Sequence, residues 1–250
     1  MPKTALIIPC YNEDKRLAPE EYHQFLEKHG DIDMIFVDDG SSDGTFALLE
    51  LIASQNPGRV FPLRLEQNSG KAEAVRRGVL DSFERGYEFA GYWDADNATP
   101  LRLAPELIAD LQGKSVEMVM GSRVSILGKQ ILRSHGRHYL GRMFGTLASF
   151  ILGLQIYDTQ CGAKVFRNGD VMRKAFGEQF ETDWTFDLEL IARAILAGRE
   201  KTPGAPASAI VIEHPLDEWV DVPGSKLKAS HGFRILRDLW KVYVKYHGRI

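Results

Sequence analysis

The 250-residue chain is 44% hydrophobic and 26% charged, with a formal net charge of -3. These figures fit a folded globular protein and exclude disordered, fibrous and strongly basic nucleic-acid-binding classes. Only Cys10 and Cys161 are present, far apart, so no disulfide framework is expected and a reducing, cytoplasmic compartment fits.

Thr4 to Cys10 is an apolar run that reads as a buried strand, followed at once by Tyr11-Asn12-Glu13. A strand beginning by Ala5 leaves no space for a signal peptide. Met34 to Val37 reads as the second strand and runs into Asp38-Asp39-Gly40-Ser41-Ser42-Asp43-Gly44-Thr45, with a helix over Thr45 to Ser54. A third strand over Val60 to Leu65 leads through Asn68-Ser69-Gly70 into a helix over Lys71 to Arg85. Phe89 to Trp93 is the fourth strand and opens directly onto Asp94-Ala95-Asp96. Thr99-Pro100 reads as an N-cap and first-turn pair for a helix over Leu101 to Leu111, before a fifth strand over Val116 to Met120.

The second half is less regular. Tyr139 to Tyr157 is the longest apolar-rich stretch, yet Arg142 and several glycines interrupt it. It falls short of the ~18–20 apolar residues of a membrane span and reads as a core helix or one lying in a membrane interface. Strands are expected over Gly162 to Arg167 and Ser208 to Glu213, with a helix over Thr185 to Ala197, Asp183 as its N-cap and Gly198 just past its end. Leu227 to Tyr246 reads as one or two amphipathic helices. Strands alternating with helices predict an α/β fold with a mostly parallel central sheet flanked by helices. One domain over 1–250 is expected, with a ligand-binding half at 1–122, a second half at 123–226 and a basic helical segment at 227–250.

Charge is unevenly placed. No Asp or Glu occurs from Met118 to Tyr157, where Arg123, Lys129, Arg133, Arg137 and Arg142 all stand. After Val222 the only acid is Asp238, against seven Lys and Arg residues. Local fields of this kind favour anionic ligands or an anionic membrane surface.

Parallel neighbours present their carboxyl ends on one edge, where open α/β sheets bind ligands. The acidic ends of the first, second and fourth strands therefore converge on a crevice. Asp94 and Asp96 are hard oxygen donors that repel each other unless a cation lies between them, which suits Mg²⁺ or Mn²⁺ bridging to a substrate phosphate. Asp38 or Asp39 can accept hydrogen bonds from a nucleobase, while Ser42 or Asp43 can cap the following helix.

Ile8-Pro9-Cys10-Tyr11-Asn12-Glu13, Val37 through Thr45, Asn68-Ser69-Gly70-Lys71 and Asp94-Ala95-Asp96 resemble, in order and spacing, the motif series of inverting family 2 glycosyltransferases. The second half narrows the likeness. Asp158-Thr159-Gln160-Cys161-Gly162-Ala163-Lys164-Val165-Phe166 resembles a segment of the dolichyl-phosphate β-glucosyltransferases, as do Gly121-Ser122-Arg123, Trp184 through Leu190 and Trp219 through Lys226. The resemblance runs from Leu6 to about Lys226 and implies a GT-A fold and a nucleotide diphosphate sugar donor, UDP-linked rather than GDP-linked. It implies Pro9, Tyr11, Glu13, Asp38 and Asp39 around the nucleoside, Lys71 on the nucleotide side, and Asp96 with Asp94 on the metal. Three departures stand out: Ala72-Glu73 where a small Gly is usual, Ala163 where Phe is usual, and no amino-terminal membrane anchor.

The reaction expected is hexose transfer, glucose foremost, to a polyprenyl phosphate at the cytoplasmic membrane face, with the protein peripheral. Arg123 is the candidate for gripping a phosphate, because its guanidinium addresses two oxygens. Arg133, Arg137 and Lys164 are the candidates for holding the acceptor anion. A saccharide or other hydroxyl acceptor needs a general base, for which Asp187 and Asp158 are the candidates. His214, after a strand, is a further metal-ligand candidate. A reading of another class is a non-catalytic sugar-nucleotide-binding or membrane-surface adaptor protein.

Overall fold

The computed structural model describes residues 3–124, 127–132, 135–222 and 232–250, with the backbone alone for 135–140 and 232. Arg133 lies outside the described residues, as does the side chain of Arg137.

Four apolar runs form β1 (Thr4–Cys10), β2 (Ile32–Asp38), β3 (Val60–Arg64) and β4 (Phe89–Trp93). They lie parallel, joined by α1 (Pro19–Lys28), α2 (Thr45–Gln55) and α3 (Lys71–Glu84). β2 and β4 are buried at every position, as expected of strands covered on both faces. A single 3-10 turn (Leu101–Leu103) and α4 (Ala104–Gly113) lead to β5 (Met118–Ser122). Beyond it come β6 (Gln130–Leu132), α5 (His135–Leu152), β7 (Ala163–Arg167) and α6 (Asp170–Gly177). The described chain closes with α7 (Phe186–Lys201), β8 (Val211–Pro215), β9 (Glu218–Val220) and α8 (Gly232–Tyr246).

The central sheet has seven strands in the order β3-β2-β1-β4-β7-β5-β8, while β6 and β9 form a separate parallel pair. β7 alone runs antiparallel to its neighbours β4 and β5, with Tyr92 opposite Lys164. Because β7 starts where β4 ends, the loop entering it lies against the Asp94 segment, and the Asp94 N–H donates to the Gly162 carbonyl at 2.9 Å.

Successive strand residues point to opposite faces. Ile7, Val37, Tyr92 and Phe166 pack with α3, α6 and α7 on one side. Leu6, Phe36, Phe89 and Val165 pack with α1, α2 and α4 on the other.

Several local expectations need correction. The helical stretch starts at Leu101 as expected, but its cap is Pro100, extended at ψ 134°, its first turn is 3-10, and α4 begins only at Ala104. Asp183 does not cap α7, whose N-cap is Thr185. Gly198 lies inside α7 rather than past it, because its bare Cα receives Ile210, whose Cδ1 would stand 2.6 Å from a Cβ there. The helices α1 and α6 were not anticipated; each is short, and Pro19 at the start of α1 was the available signal.

The α3 layer approaches the sheet most closely at Gly78, where a Cβ would lie 2.5 Å from Ile7 Cγ2 and 2.9 Å from Val37 Cγ2. Replacing glycine by alanine gains roughly 1 kcal/mol of helix propensity, but overpacking a fixed helix–sheet contact costs about 1–3 kcal/mol. Gly78→Ala is expected to lower the thermal unfolding midpoint. An unchanged or raised midpoint would show that the two layers can separate without penalty.

Candidate active site

The crevice is built from loops that hydrogen-bond to one another in sequence order. After β1, Asn12 takes a left-handed backbone at φ 52°. Its N–H donates to Ser41 Oγ at 3.0 Å, and its Oδ1 accepts the Ser42 N–H at 3.0 Å. The Glu13 N–H donates to Thr45 Oγ1 at 2.7 Å, and Thr45 is itself oriented by Asp43. The loops after β1 and β2 are thus one unit. The Glu13 carboxylate accepts from Nε and Nη2 of Arg16, each at 2.6 Å, while Tyr11 is exposed at the rim and Pro9 lies in β1.

Asp38 is fully buried, accepting the Ser41 N–H at 3.2 Å and facing Arg64 at 3.5 Å. Asp39 accepts the Ser69 and Gly70 N–H groups at 2.7 and 2.9 Å, which fixes the entry to α3. Burial pushes the Asp39 carboxyl above its usual range, against these two hydrogen bonds, and the charges of Asp38 and Asp183 add to the rise. Gly40, at φ +65°, lets this loop lie on the next one: a Cβ would stand 2.5 Å from the Gln67 carbonyl carbon.

Lys71 opens α3 and pairs with Asp94 at 2.5 Å, its amine also lying over the Tyr92 ring. Burial opposes the Lys71 charge, but Asp94 and then Asp187 outweigh it and hold the amine above the usual lysine range. Asp94 rests directly on Gly162, where a Cβ would meet its Oδ2 at 1.9 Å, so no side chain fits there. Asp96 accepts the Ala98 N–H at 3.1 Å, and burial followed by the Asp94 charge raises its carboxyl.

Beneath Lys71 lies a buried polar core. Lys164 has no exposed surface and pairs with Asp187 at 2.7 Å, while donating to the Cys161 carbonyl at 2.6 Å and to Tyr92 Oη at 3.1 Å. Tyr92 in turn donates to Asp187. To one side, Asp158 receives Arg123 Nε at 2.6 Å and Nη2 at 2.8 Å, with Arg123 also over the Trp219 ring. Burial works against the Arg123 charge, yet Asp158 overrides it and holds the guanidinium well above its usual range.

The structure therefore brings Pro9, Tyr11, Glu13, Asp38, Asp39, Lys71, Asp94 and Asp96 to one sheet edge. It places Asp158 with Arg123, and Asp187 with Lys164, as closed pairs rather than open groups. His214 faces Asp110 at 2.8 Å and Glu106 at 3.5 Å, both on α4. Glu73, the unusual acid after Lys71, turns away to Arg76 at 2.7 Å and Arg77 at 2.8 Å, so its charge is answered within its own helix.

Residues passed over in the sequence also matter. Arg16 neutralises Glu13, Gly162 seats Asp94, and Tyr92 joins the buried pair. Asp183 is exposed, with Oδ1 2.9 Å from where a Gly70 Cβ would stand, and it lines a cleft of about 190 Å³ with Ser69, Glu73 and Thr182. Three carboxylates (Asp38, Asp39 and Asp183) thus cluster round the start of α3.

A divalent metal fits this edge. Asp94 and Asp96 supply hard oxygens, and the Asp96 carboxyl, raised first by burial and then by the Asp94 charge, is one that a cation would hold ionised. Among the described residues no group of three or more His, Cys, Asp and Glu side chains forms a metal cage. One or two carboxylates completed by substrate phosphate and water is the pattern of a Mg²⁺ or Mn²⁺ nucleotide site.

Comparison with known proteins adds three findings. The profile of Glycosyl transferase family 2 matches residues 5–173. The chain is 29% identical over 257 residues to the dolichyl-phosphate beta-glucosyltransferase of Dictyostelium discoideum, covering 97% of this chain and 74% of that protein. To the Saccharomyces cerevisiae protein of the same name it is 32% identical over 264 residues, covering 97% and 74%. A crystal structure of glucosyl-3-phosphoglycerate synthase from Mycobacterium tuberculosis with Mn²⁺, uridine diphosphate and phosphoglyceric acid superposes at a TM-score of 0.63 with 16% identity, over 97% of this chain and 78% of that one.

Burial opposes ionisation of Glu73, but its hydrogen bonds to Arg76 and Arg77 and their charges prevail and bring its carboxyl down to about 2. A folded pKa below the unfolded value stabilises the protein above the ordinary Glu range, and this contribution disappears as pH falls toward 2. With solvent screening, Glu73→Gln should cost on the order of 1 kcal/mol at neutral pH. In urea titrations the gap between variant and parent should close on acidification. A gap that does not change with pH would show that the pairs contribute nothing.

Proposed function

The chain belongs to glycosyl transferase family 2, grouping with its dolichyl-phosphate β-glucosyltransferases, and we propose that it transfers glucose from a nucleotide diphosphate sugar to a polyprenyl phosphate with inversion. The observation that carries the donor half is the continuous set of contacts from Asn12 through Asp39, Gly70 and Lys71 to Asp94. As a glycosyltransferase of this family the chain is an enzyme rather than an adaptor. We read 1–122 as the donor half and 123–226 as the acceptor half of one domain.

In this reading the nucleoside lies against Pro9, Tyr11, Glu13, Asp38 and Asp39, with UDP favoured over GDP. Asp96, supported by Asp94, would hold Mg²⁺ or Mn²⁺, which when bound offsets charge on the leaving diphosphate. Lys71 places a fixed positive charge beside the same carboxylates and stays protonated because Asp94 and Asp187 hold it so. The acceptor oxygen attacks the anomeric carbon from the face opposite the diphosphate. The new carbon–oxygen bond forms as the bond to the diphosphate breaks, and the electron pair leaves with the diphosphate.

The state of the two candidate bases supports a phosphate acceptor. Asp158 is held in a bidentate pair by Arg123, and Asp187 by Lys164 and Tyr92. A phosphate acceptor is already anionic near neutral pH and needs no base. Asp187 then acts through Lys164 and Tyr92 as a positioning residue, and Asp158 orients Arg123. Arg133 and Arg137 remain the proposed contacts to the acceptor anion, whereas Lys164 reaches it only through the buried network. A hydroxyl acceptor is the second reading. Asp183, exposed beside Gly70, is the carboxylate that reading would need.

The test is transfer of labelled glucose from UDP-glucose in the presence of Mg²⁺ or Mn²⁺, with organic extraction of the product. Label is expected in the organic phase with polyprenyl phosphate as acceptor. Asp96→Asn should lower turnover at least about 100-fold through lost metal and diphosphate binding. Asp183→Asn should retain transfer to the phosphate acceptor. Label appearing only in water-soluble product, together with loss of transfer in Asp183→Asn, would establish the hydroxyl reading instead.

A further inference from the structure

α8 presents an apolar stripe to solvent. Phe233, Leu236, Trp240 and Val244 recur at helical spacing and are 85%, 61%, 64% and 65% exposed. Its opposite side is satisfied, since Leu239, Val242 and Tyr246 are buried against the molecule. The stripe continues onto α5. Phe150 stacks on Tyr243 with ring centroids 6.3 Å apart, and Tyr243 stacks on Trp240 at 5.7 Å. On α5 the same face carries exposed Met143 and Leu147. An apolar surface crossing two helices and including an exposed Trp and two exposed Phe rings is costly to leave in water and marks an interaction surface.

Its electrostatics select the partner. Among the described side chains of the two helices, the exposed charged residues are Arg234 and Arg237 on α8 and Arg142 on α5. α5 lies within the acid-free block. The only acid of α8, Asp238, is turned inward with 1% exposure, and the Asp183 N–H donates to it at 3.4 Å. The nearby acid Glu181 is neutralised by Lys245 at 2.6 Å, and its carbonyl accepts from Lys241 at 2.9 Å. An apolar strip with aromatic residues, edged by cations and cleared of carboxylates, matches the interface of an anionic bilayer. A second copy of the chain would set like charges against each other. Among the described residues no helix is long and apolar enough to cross a membrane, so the contact is one that lies in the interface.

We propose that the joined faces of α5 and α8 dock the protein flat on an anionic membrane, with Phe233 and Trp240 entering the headgroup boundary. The hydrogen bond from Asp183 to Asp238 ties α8 to the segment beside Gly70, so docking brings the crevice to the lipid surface. The surface argument stands on the residues alone; its part in catalysis rests on the lipid-phosphate acceptor reading above.

The experiment floats the full chain with phosphatidylcholine vesicles, with and without phosphatidylserine. Binding is expected to the phosphatidylserine vesicles and to weaken as salt is raised. Because two large apolar side chains leave the headgroup boundary, the Phe233→Ser, Trp240→Ser double variant should lose at least about tenfold in partitioning. Arg234→Glu with Arg237→Glu should abolish the preference for anionic lipid. Both variants change exposed side chains and should keep the parent's unfolding midpoint and its turnover on a short, water-soluble polyprenyl phosphate. Three results overturn the proposal: equal flotation of parent and double variant, equal binding with and without phosphatidylserine, or a concentration-dependent dimer that needs Trp240 and binds no vesicle. Vesicle binding that follows the variants as expected, with no glucose transfer to polyprenyl phosphate of any length, supports the docking face and removes the acceptor reading alone.

Discussion

Lys164 and Asp187 form an ion pair buried from solvent, and the middle of the site is arranged so that neither is left unanswered. Deleting one partner of such a pair typically costs about 3–5 kcal/mol, because the other remains as an isolated buried charge. Lys164 stands on the one reversed strand, Tyr92 on its neighbour β4, and Asp187 in the first turn of α7. Closing the pair therefore fixes sheet and helix together. It also sets the floor beneath Lys71 and, through the Cys161 carbonyl, the loop on which Asp94 rests.

Above that floor the crevice is a sequence of short polar contacts. Each loop after a parallel strand is tied to its neighbour in sequence: Asn12 to the serines after β2, Gly70 to Asp39, Asp94 to Lys71. The acids near the donor edge divide by how their charge is met. Glu13 and Glu73 are neutralised by arginines one helical turn away in sequence, Asp94 by Lys71, and Asp39 by backbone N–H groups. Asp96 keeps a raised carboxyl because burial and Asp94 both act against its charge. That surplus is what a divalent cation would relieve, and it concentrates where a diphosphate would need one.

The surface follows a similar division between residues that face inward and outward. On α8 the acid Asp238 turns in while Phe233 and Trp240 turn out, unlike an ordinary surface helix. The inward acid serves the site by receiving the Asp183 N–H, and the outward rings are joined to α5 by stacking. The polar crevice and the exposed aromatic surface are therefore connected through one helix.

Strand and helix alternation in the first half and the convergence of the acidic strand ends, with Asp38, Asp39, Asp94 and Asp96, on one edge were legible in the chain. Buried parallel strands are continuous apolar runs, and their carboxyl ends must meet on one side. Local signals failed where tertiary contact outweighed them: Thr99-Pro100 yielded to a 3-10 turn, and Gly198 served packing rather than termination. By contrast, α1 and α6 carried a period that was passed over, with Tyr22, Phe25 and Leu26 on one face of α1 and Val171, Met172, Ala175 and Phe176 on one face of α6. The roles of Asp158, Arg123, Asp187 and Lys164 could not be read at all. A carboxylate looks the same in sequence whether it meets water, a substrate or a lysine. Only the reversal of β7, which sets Lys164 opposite Tyr92 and beside Asp187 from a distant helix, decides which charges are buried and which face the ligand. That placement depends on contacts 72 and 95 residues apart along the chain, which no local spacing encodes.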